Sequence, residues 1–206
     1  LKGFAIDSFP LGITSAGALL VYLDQTHHTE LSNICSISRI DEGSFVWMDR
    51  FTFRNLEIFA STAGKEGTSL IEVMDKCSSP MGARMLRNWL AMPVMDLQEL
   101  EDRYSVVQCF VDSQDDLSRL QAMIGDIGDL ERIISRAAAG KIVPREVMQL
   151  RRGLGQTKPI TDLCRRQGIA ALDDMISRMG DCAELLDYLG RTMHPETAAA
   201  PGKGDV

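Results

Sequence analysis

Histidine is scarce in this chain. Three occur in 206 residues, His27, His28 and His194, all near the two ends. That leaves too few to assemble a Ser/His/Asp or Cys/His nucleophile set. No Glu-x-x-His step supports a di-metal helix bundle. Cysteine is sparse too: Cys35, Cys77, Cys109, Cys164 and Cys182 are odd in number, widely spaced and form no Cys-x-x-Cys. This pattern excludes the close ligand pairs of a structural zinc site and reads as free thiols in a reducing cytoplasm. No apolar run reaches the ~18 residues of a membrane span. The start lacks the basic flank and long apolar core of a signal peptide. The chain opens with Leu1 rather than Met and reads as a piece of a longer protein.

Positive charge is also short. Lys and Arg total 22 against 29 Asp and Glu, for a net charge of −7. A sequence-independent grip on nucleic-acid phosphates needs a basic face. The pairs Arg151-Arg152 and Arg165-Arg166 are brief and diluted by acids. Strong nucleic-acid binding by these residues alone is not expected.

Gly-Lys occurs three times without making a phosphate loop. Gly64-Lys65, Gly140-Lys141 and Gly202-Lys203 lack both the spaced first glycine and the following Ser/Thr that would hold magnesium. The acids Asp126, Asp129 and Glu131 fit a helix start, where carboxylates favour the positive end of the dipole, better than an acid/base pair. Asp173-Asp174 and Asp181-Glu184-Asp187 read the same way. Arg54, Asn55 and Glu57 read as an exposed polar helix face. The 11 methionines fit a helical core with irregular gaps. His27-His28 suits a helix C-terminus. No catalytic, cofactor-binding, metal or DNA-binding residue is assigned.

What is present is helical. Ser78 to Leu90 has a written start and stop: Ser79 as N-cap, Pro80 at the first helical position, and Pro93 forbidding continuation. Gly82, Met85, Leu86, Trp89 and Leu90 share one face, so Trp89 should be covered by other helices. Gly82 should mark a close backbone approach. Residues 12 to 28 form a helix capped by Thr14 or Ser15. Residues 34 to 48 read as two short strands around Asp41-Glu42-Gly43-Ser44, a β-hairpin. Asp49 caps the next helix, and Ala60 to Gly67 is a loop. A helix begins near Thr68. Asp96 and Glu99 resemble a capping box, with Leu97, Leu100, Tyr104, Val107 and Val111 as the inner stripe. Asp115-Asp116, Asp129 and Pro144 open further helices, and Gly140 fits a C-terminal cap. Gly153, Gly155 and Pro159 should end the helix from Pro144. Leu172 to Leu189 should line one long helix to about residue 192. The tail from Pro195 has no periodicity. The fold class is therefore mostly α, an irregular multi-helix array with a short N-terminal β-hairpin.

Several blocks, in order, resemble the bacterial MutS mismatch-repair family. Ser15 to Leu23 looks like the helix ending its connector region. Met48-Asp49 through Arg54-Asn55-Leu56-Glu57 resembles the entry to its core (lever) domain. Thr68 to Leu90 is similar to its "T-L…D…T-P-M-G-x-R-x-L-x-x-W-L" block, with Ser79 in the Thr place and Pro80, Met81, Gly82, Arg84, Leu86, Trp89 and Leu90 fitting. Gly128-Asp129-Leu130-Glu131-Arg132 and Pro144-Arg145-Glu146 match two further blocks. Gly202 to Val206 looks like the run into the clamp insertion.

The resemblance implies three parts: 1–48 as the end of the connector with the hairpin, 49–194 as the helical core (lever) domain, and 195–206 as a tail towards the clamp. It implies a non-catalytic fragment, with Arg54, Asn55, Leu56, Glu57, Pro80, Met81, Gly82, Arg84, Leu86, Trp89, Leu90, Asp129, Leu130, Glu131, Arg132 and Pro144 in structural roles. It implies a cytoplasmic parent that uses ATP and Mg, binds mismatched duplex DNA, dimerises and recruits a MutL-type partner. The immediate partners would be the connector, clamp and ATPase domains of the same chain. The alternative from another class is a self-standing helical module that binds a partner in an apolar groove.

Overall fold

A computed structural model describes residues 9–26, 34 and 42–193. The described elements are α1 (Pro10–Gln25), α2 (Arg50–Asn55), α3 (Leu70–Met74), α4 (Pro80–Ala91), α5 (Leu97–Asp112), α6 (Gln114–Ile127), α7 (Leu130–Ala138), α8 (Pro144–Gly155), α9 (Thr157–Arg165), α10 (Ala170–Ser177) and α11 (Ala183–Thr192), with brief 3-10 turns at Glu42–Ser44 and Gly64–Glu66.

Capping accounts for many of these starts. Asp49 accepts from Thr52 N at 2.7 Å, Ser79 from Gly82 N at 3.1 Å and Asp96 from Glu99 N at 2.8 Å. Each satisfies a backbone donor that the first turn leaves without a partner. At α3 the start is Ser69, whose N–H and hydroxyl both donate to Glu72 at 2.7 Å.

The expected β-hairpin is not found among the described residues. Most of its first strand lies outside them. Glu42–Ser44 is a 3-10 turn, and Phe45 forms an isolated antiparallel bridge with Val94. Val46 N donates to Pro93 O at 2.8 Å, and Met95 N donates to Ser44 O at 3.1 Å. The segment after α4 is the strand-like partner because Pro93 holds it out of the helical region.

Other boundaries shift. Helix α1 starts at Pro10, and Thr14 and Ser15 donate their hydroxyls to Pro10 O and Leu11 O inside the helix. Gly153 lies inside α8, and Pro159 sits in the first turn of α9, where its missing N–H leaves no bond unmade. The long helix expected through 192 is two helices, α10 and α11, separated at 178–182.

The core gathers Phe110 of α5, Ile160, Leu163 and Cys164 of α9, and Leu172 and Ile176 of α10. Val106, Leu117, Leu120, Met123, Ile124, Ile127 and Ile169 pack around it. Helix α5 therefore turns Val106 and Phe110 inward. Of the stripe expected to face inward only Leu100 is half-buried; Leu97 is 77 % exposed, Tyr104 62 %, Val107 60 % and Val111 54 %. Trp89 is 43 % exposed, so it is not a core residue; the Arg103 guanidinium covers its ring at 3.7 Å. Where α8 passes the end of α6, Gly153 is buried. A Cβ there would meet Ile127 O at 2.6 Å.

Candidate functional site

The sequence blocks around 84 and 129 lie 45 residues apart and meet in space. Arg84 projects from the middle of α4. Its Nη1 and Nη2 donate to Asp129 Oδ2 and Oδ1 at 3.0 and 2.6 Å. Its Nε and Nη2 donate to Glu131 Oε2 at 3.0 and 2.6 Å. The fork geometry of guanidinium suits this pairing; a lysine point charge would not reproduce it. Asp129 also caps α7, accepting from Arg132 N at 3.3 Å. One arginine thus holds the entry of α7 against α4.

The exit of α7 is held the same way. Arg136 Nε donates to Glu146 Oε2 at 3.0 Å, and its Nη2 donates to Lys141 O at 2.9 Å. Glu146 in turn accepts from Val143 N at 3.1 Å at the start of α8. Gly128, at φ +73°, turns the chain between α6 and α7, and Gly140, at φ +64°, turns it after α7.

Charge follows this geometry. Hydrogen bonding to Asp129, then to Glu131, raises the Arg84 pKa further. Arg84 beside Asp129 holds that carboxyl below its usual range. Asp129 is the better-enclosed acid, with its side chain 20 % exposed against 66 % for Glu131.

The block at 54–57 does something different. Glu57 adopts φ +50°, a left-handed conformation unusual for its type. Its carboxylate accepts from Thr62 N at 2.7 Å and from the Thr62 hydroxyl, which lowers its pKa. Its carbonyl accepts from Leu70 N at 2.9 Å. Glu57 therefore closes the loop 60–67 onto the start of α3. Arg54, Asn55 and Leu56 lie apart from the Arg84 junction, Arg54 and Asn55 at the end of α2 and Leu56 as its C-cap. Pro80, Met81, Gly82, Leu86, Trp89 and Leu90 share α4 with Arg84; Leu130, Glu131 and Arg132 open α7; Pro144 opens α8. Around Gly82 the nearest atoms belong to Ser79 and Cys77 side chains, so its role is local rather than a helix–helix approach. The buried approach belongs to Gly153, which sits inside α8 rather than ending it.

Sequence reasoning missed the role of Arg136. Its signal is a Glu two residues after Pro144, at the third helical position. Among the described residues no group of three His, Cys, Asp or Glu could hold a metal ion. No described helix is long and apolar enough to cross a membrane. Cys77, Cys109, Cys164 and Cys182 are free thiols, and burial pushes the Cys164 thiol up.

Fold and junction together define a helical framework domain, whose distinctive chemistry is arginine–carboxylate fastening between helices. Residues 51–204 match the family described as MutS domain III, and the chain belongs to that family. It is 40 % identical over all 206 residues to the DNA mismatch repair protein MutS of Parabacteroides distasonis, covering 24 % of that protein. It is 41 % identical over 206 residues to the MutS protein of Christiangramia forsetii, again 24 % of its length, and 41 % identical over 202 residues to that of Cytophaga hutchinsonii, 23 % of its length. The chain spans about a quarter of the curated relatives it matches.

Proposed function

We propose that this chain is the non-catalytic core, or lever, of a mismatch-repair ATPase. It carries motion between parts that bind mismatched duplex DNA and parts that bind ATP with Mg. The parent works in the cytoplasm as a dimer and engages a MutL-type partner. The division at 48/49, with a tail from 195, sets the lever at 49–194. The Arg84 junction carries this reading. It fastens α4 to the entry of α7 through four hydrogen bonds on the surface. A rigid fastening between short helices lets displacement at one end reach the other. The family-block residues are its structural parts.

The exposed stripe Leu97, Tyr104, Val107 and Val111 fits the same reading, because a lever is flanked by other domains. It is also the observation that favours a self-standing interaction module, which would use that stripe for a foreign partner. The family match makes the lever the better reading.

The test uses the full-length parent carrying Arg84→Ala and, separately, Arg84→Lys. Both should keep ATP hydrolysis without DNA and lose much of its response to mismatched duplex, with Lys less affected than Ala. An unchanged response in Arg84→Ala contradicts the reading.

A further inference from the structure

An open cleft of about 880 Å³ lies between the end of α6, the outer face of α8 and α11. Three of its lining side chains are arginines, Arg145, Arg151 and Arg152. In an acidic chain their pairing state matters. Helices α5 to α11 and their joints carry 11 arginines. Six of them, Arg103, Arg119, Arg136, Arg165, Arg178 and Arg191, have a carboxylate within 4 Å. Of the five left over, three line this one cleft. Five of the six pairs are local, made at a spacing of three or four residues by an acid on the arginine's own face. Helix α8 has no such acid for Arg145, Arg151 or Arg152. Its one acid, Glu146, is engaged by Arg136.

Placement sharpens the point. Arg145, Gln149, Arg152 and Gln156 recur at four- and three-residue steps, so they form one row along α8. Arg145 and Arg152 are two turns apart, roughly 10.5 Å along the axis. Arg151 leans on α11, where a Cβ at Gly190 would meet its Nη2 at 3.1 Å. The apolar Met148 and Leu186 also line the cleft, as does Asp126 from the last turn of α6. Guanidinium forks with no internal partner favour carboxylate or phosphate oxygens. A lining that mixes apolar side chains and one acid with the arginines disfavours a dense polyphosphate and suits a helix carrying two spaced acids.

We infer that this cleft docks an acidic helical segment of a protein, with two carboxylates two turns apart reaching Arg145 and Arg152 and an apolar residue between them meeting Met148 and Leu186. The inference is independent of the Arg84 junction. It can fail while the lever reading stands.

The test is fluorescence anisotropy with the 206-residue chain and a labelled alanine-based helical peptide that has two glutamates seven residues apart and a leucine between them. Its partner probe has glutamine in both places. The glutamate peptide should bind at low salt and weaken as salt rises. The glutamine peptide should bind at least about tenfold more weakly, which corresponds to two lost charge-assisted contacts. Arg145→Gln with Arg152→Gln, both on exposed side chains, should cause the same loss, while Arg165→Gln, engaged with Asp162 elsewhere, should not. Absence of binding, equal binding of the two peptides, or an unaffected double variant overturns the proposal. Inorganic tripolyphosphate that binds more tightly than the glutamate peptide at the same two arginines also overturns it and makes the ligand a phosphate.

Discussion

Arg84 is bonded to two carboxylates yet its side chain stays 46 % exposed. Solvent screening makes such a junction matter more for position than for bulk stability. Arg84→Ala should therefore lower the melting temperature only modestly, and a double-mutant cycle with Asp129→Ala should show that the two losses are not additive. The acid side has a clear pH signature. Asp129 is held low by Arg84, and Asp49 and Glu72 are held low by the hydrogen bonds they accept at Thr52 and Ser69. A carboxyl whose folded pKa lies below its unfolded value contributes stability above the unfolded value and loses it as pH falls through the folded one. Thermal melts should be flat from neutral pH to about 5 and decline below about 4, the ordinary carboxylate value. Asp129→Asn should reduce that decline; an unchanged profile would place the acid sensitivity elsewhere. Core and surface should separate sharply. Leu163, 2 % exposed, should lose about 2–5 kcal/mol on change to Ala, and Leu97 less than about 0.5 kcal/mol, both read by denaturant titration. Trp89→Ala should fall between them, near 1 kcal/mol, because the ring is half open and contributes mainly its contact with Arg103.

At the scale of elements, glycines set how helices meet. Gly153→Ala pushes a methyl into Ile127 O and Leu130 and should cost about 1–3 kcal/mol. Gly128→Ala places a side chain at φ +73° and against Gln149 and should cost a similar amount, about 1–3 kcal/mol. Gly155→Ala meets nothing within 4 Å and should be neutral or slightly stabilising. Equal losses in all three would contradict this account of the α6–α8 contact. These elements also show what the sequence makes legible. Asp49, Ser79, Asp96 and Asp129 were readable as caps because a cap is written within four residues. Pro144 and Gly140 were readable as a start and a stop for the same reason. The inner face of α5 was not. Both Leu97-Tyr104-Val107-Val111 and Val106-Phe110 have helical spacing, and periodicity cannot say which apolar side finds a neighbour. The break at 178–182 was hidden because Met179 keeps the apolar spacing between Ile176 and Ala183, although Gly180 is a breaker and Asp181 accepts from Ala183 N at the start of α11. The Arg84 junction could be placed on two sequence blocks, but its closure spans 45 residues, beyond any local rule.

For the whole molecule, the proposed lever is a set of short capped helices that moves as one body about two flexible joints. The candidates are the loop 60–67, closed by Glu57, and the turn at Gly128 between α6 and α7. Loop 60–67 has few buried side chains, whereas the α5–α6–α9–α10 assembly holds the buried cluster. Local opening should therefore concentrate at the joints. The most direct measurement is amide hydrogen exchange on the full-length parent, with and without nucleotide, bound to mismatched duplex. The lever account predicts nucleotide-dependent change at 60–67 and at the Gly128 turn, with the amides around Phe110, Leu163 and Leu172 unchanged. No change at either joint, or change spread evenly through the buried cluster, would contradict it.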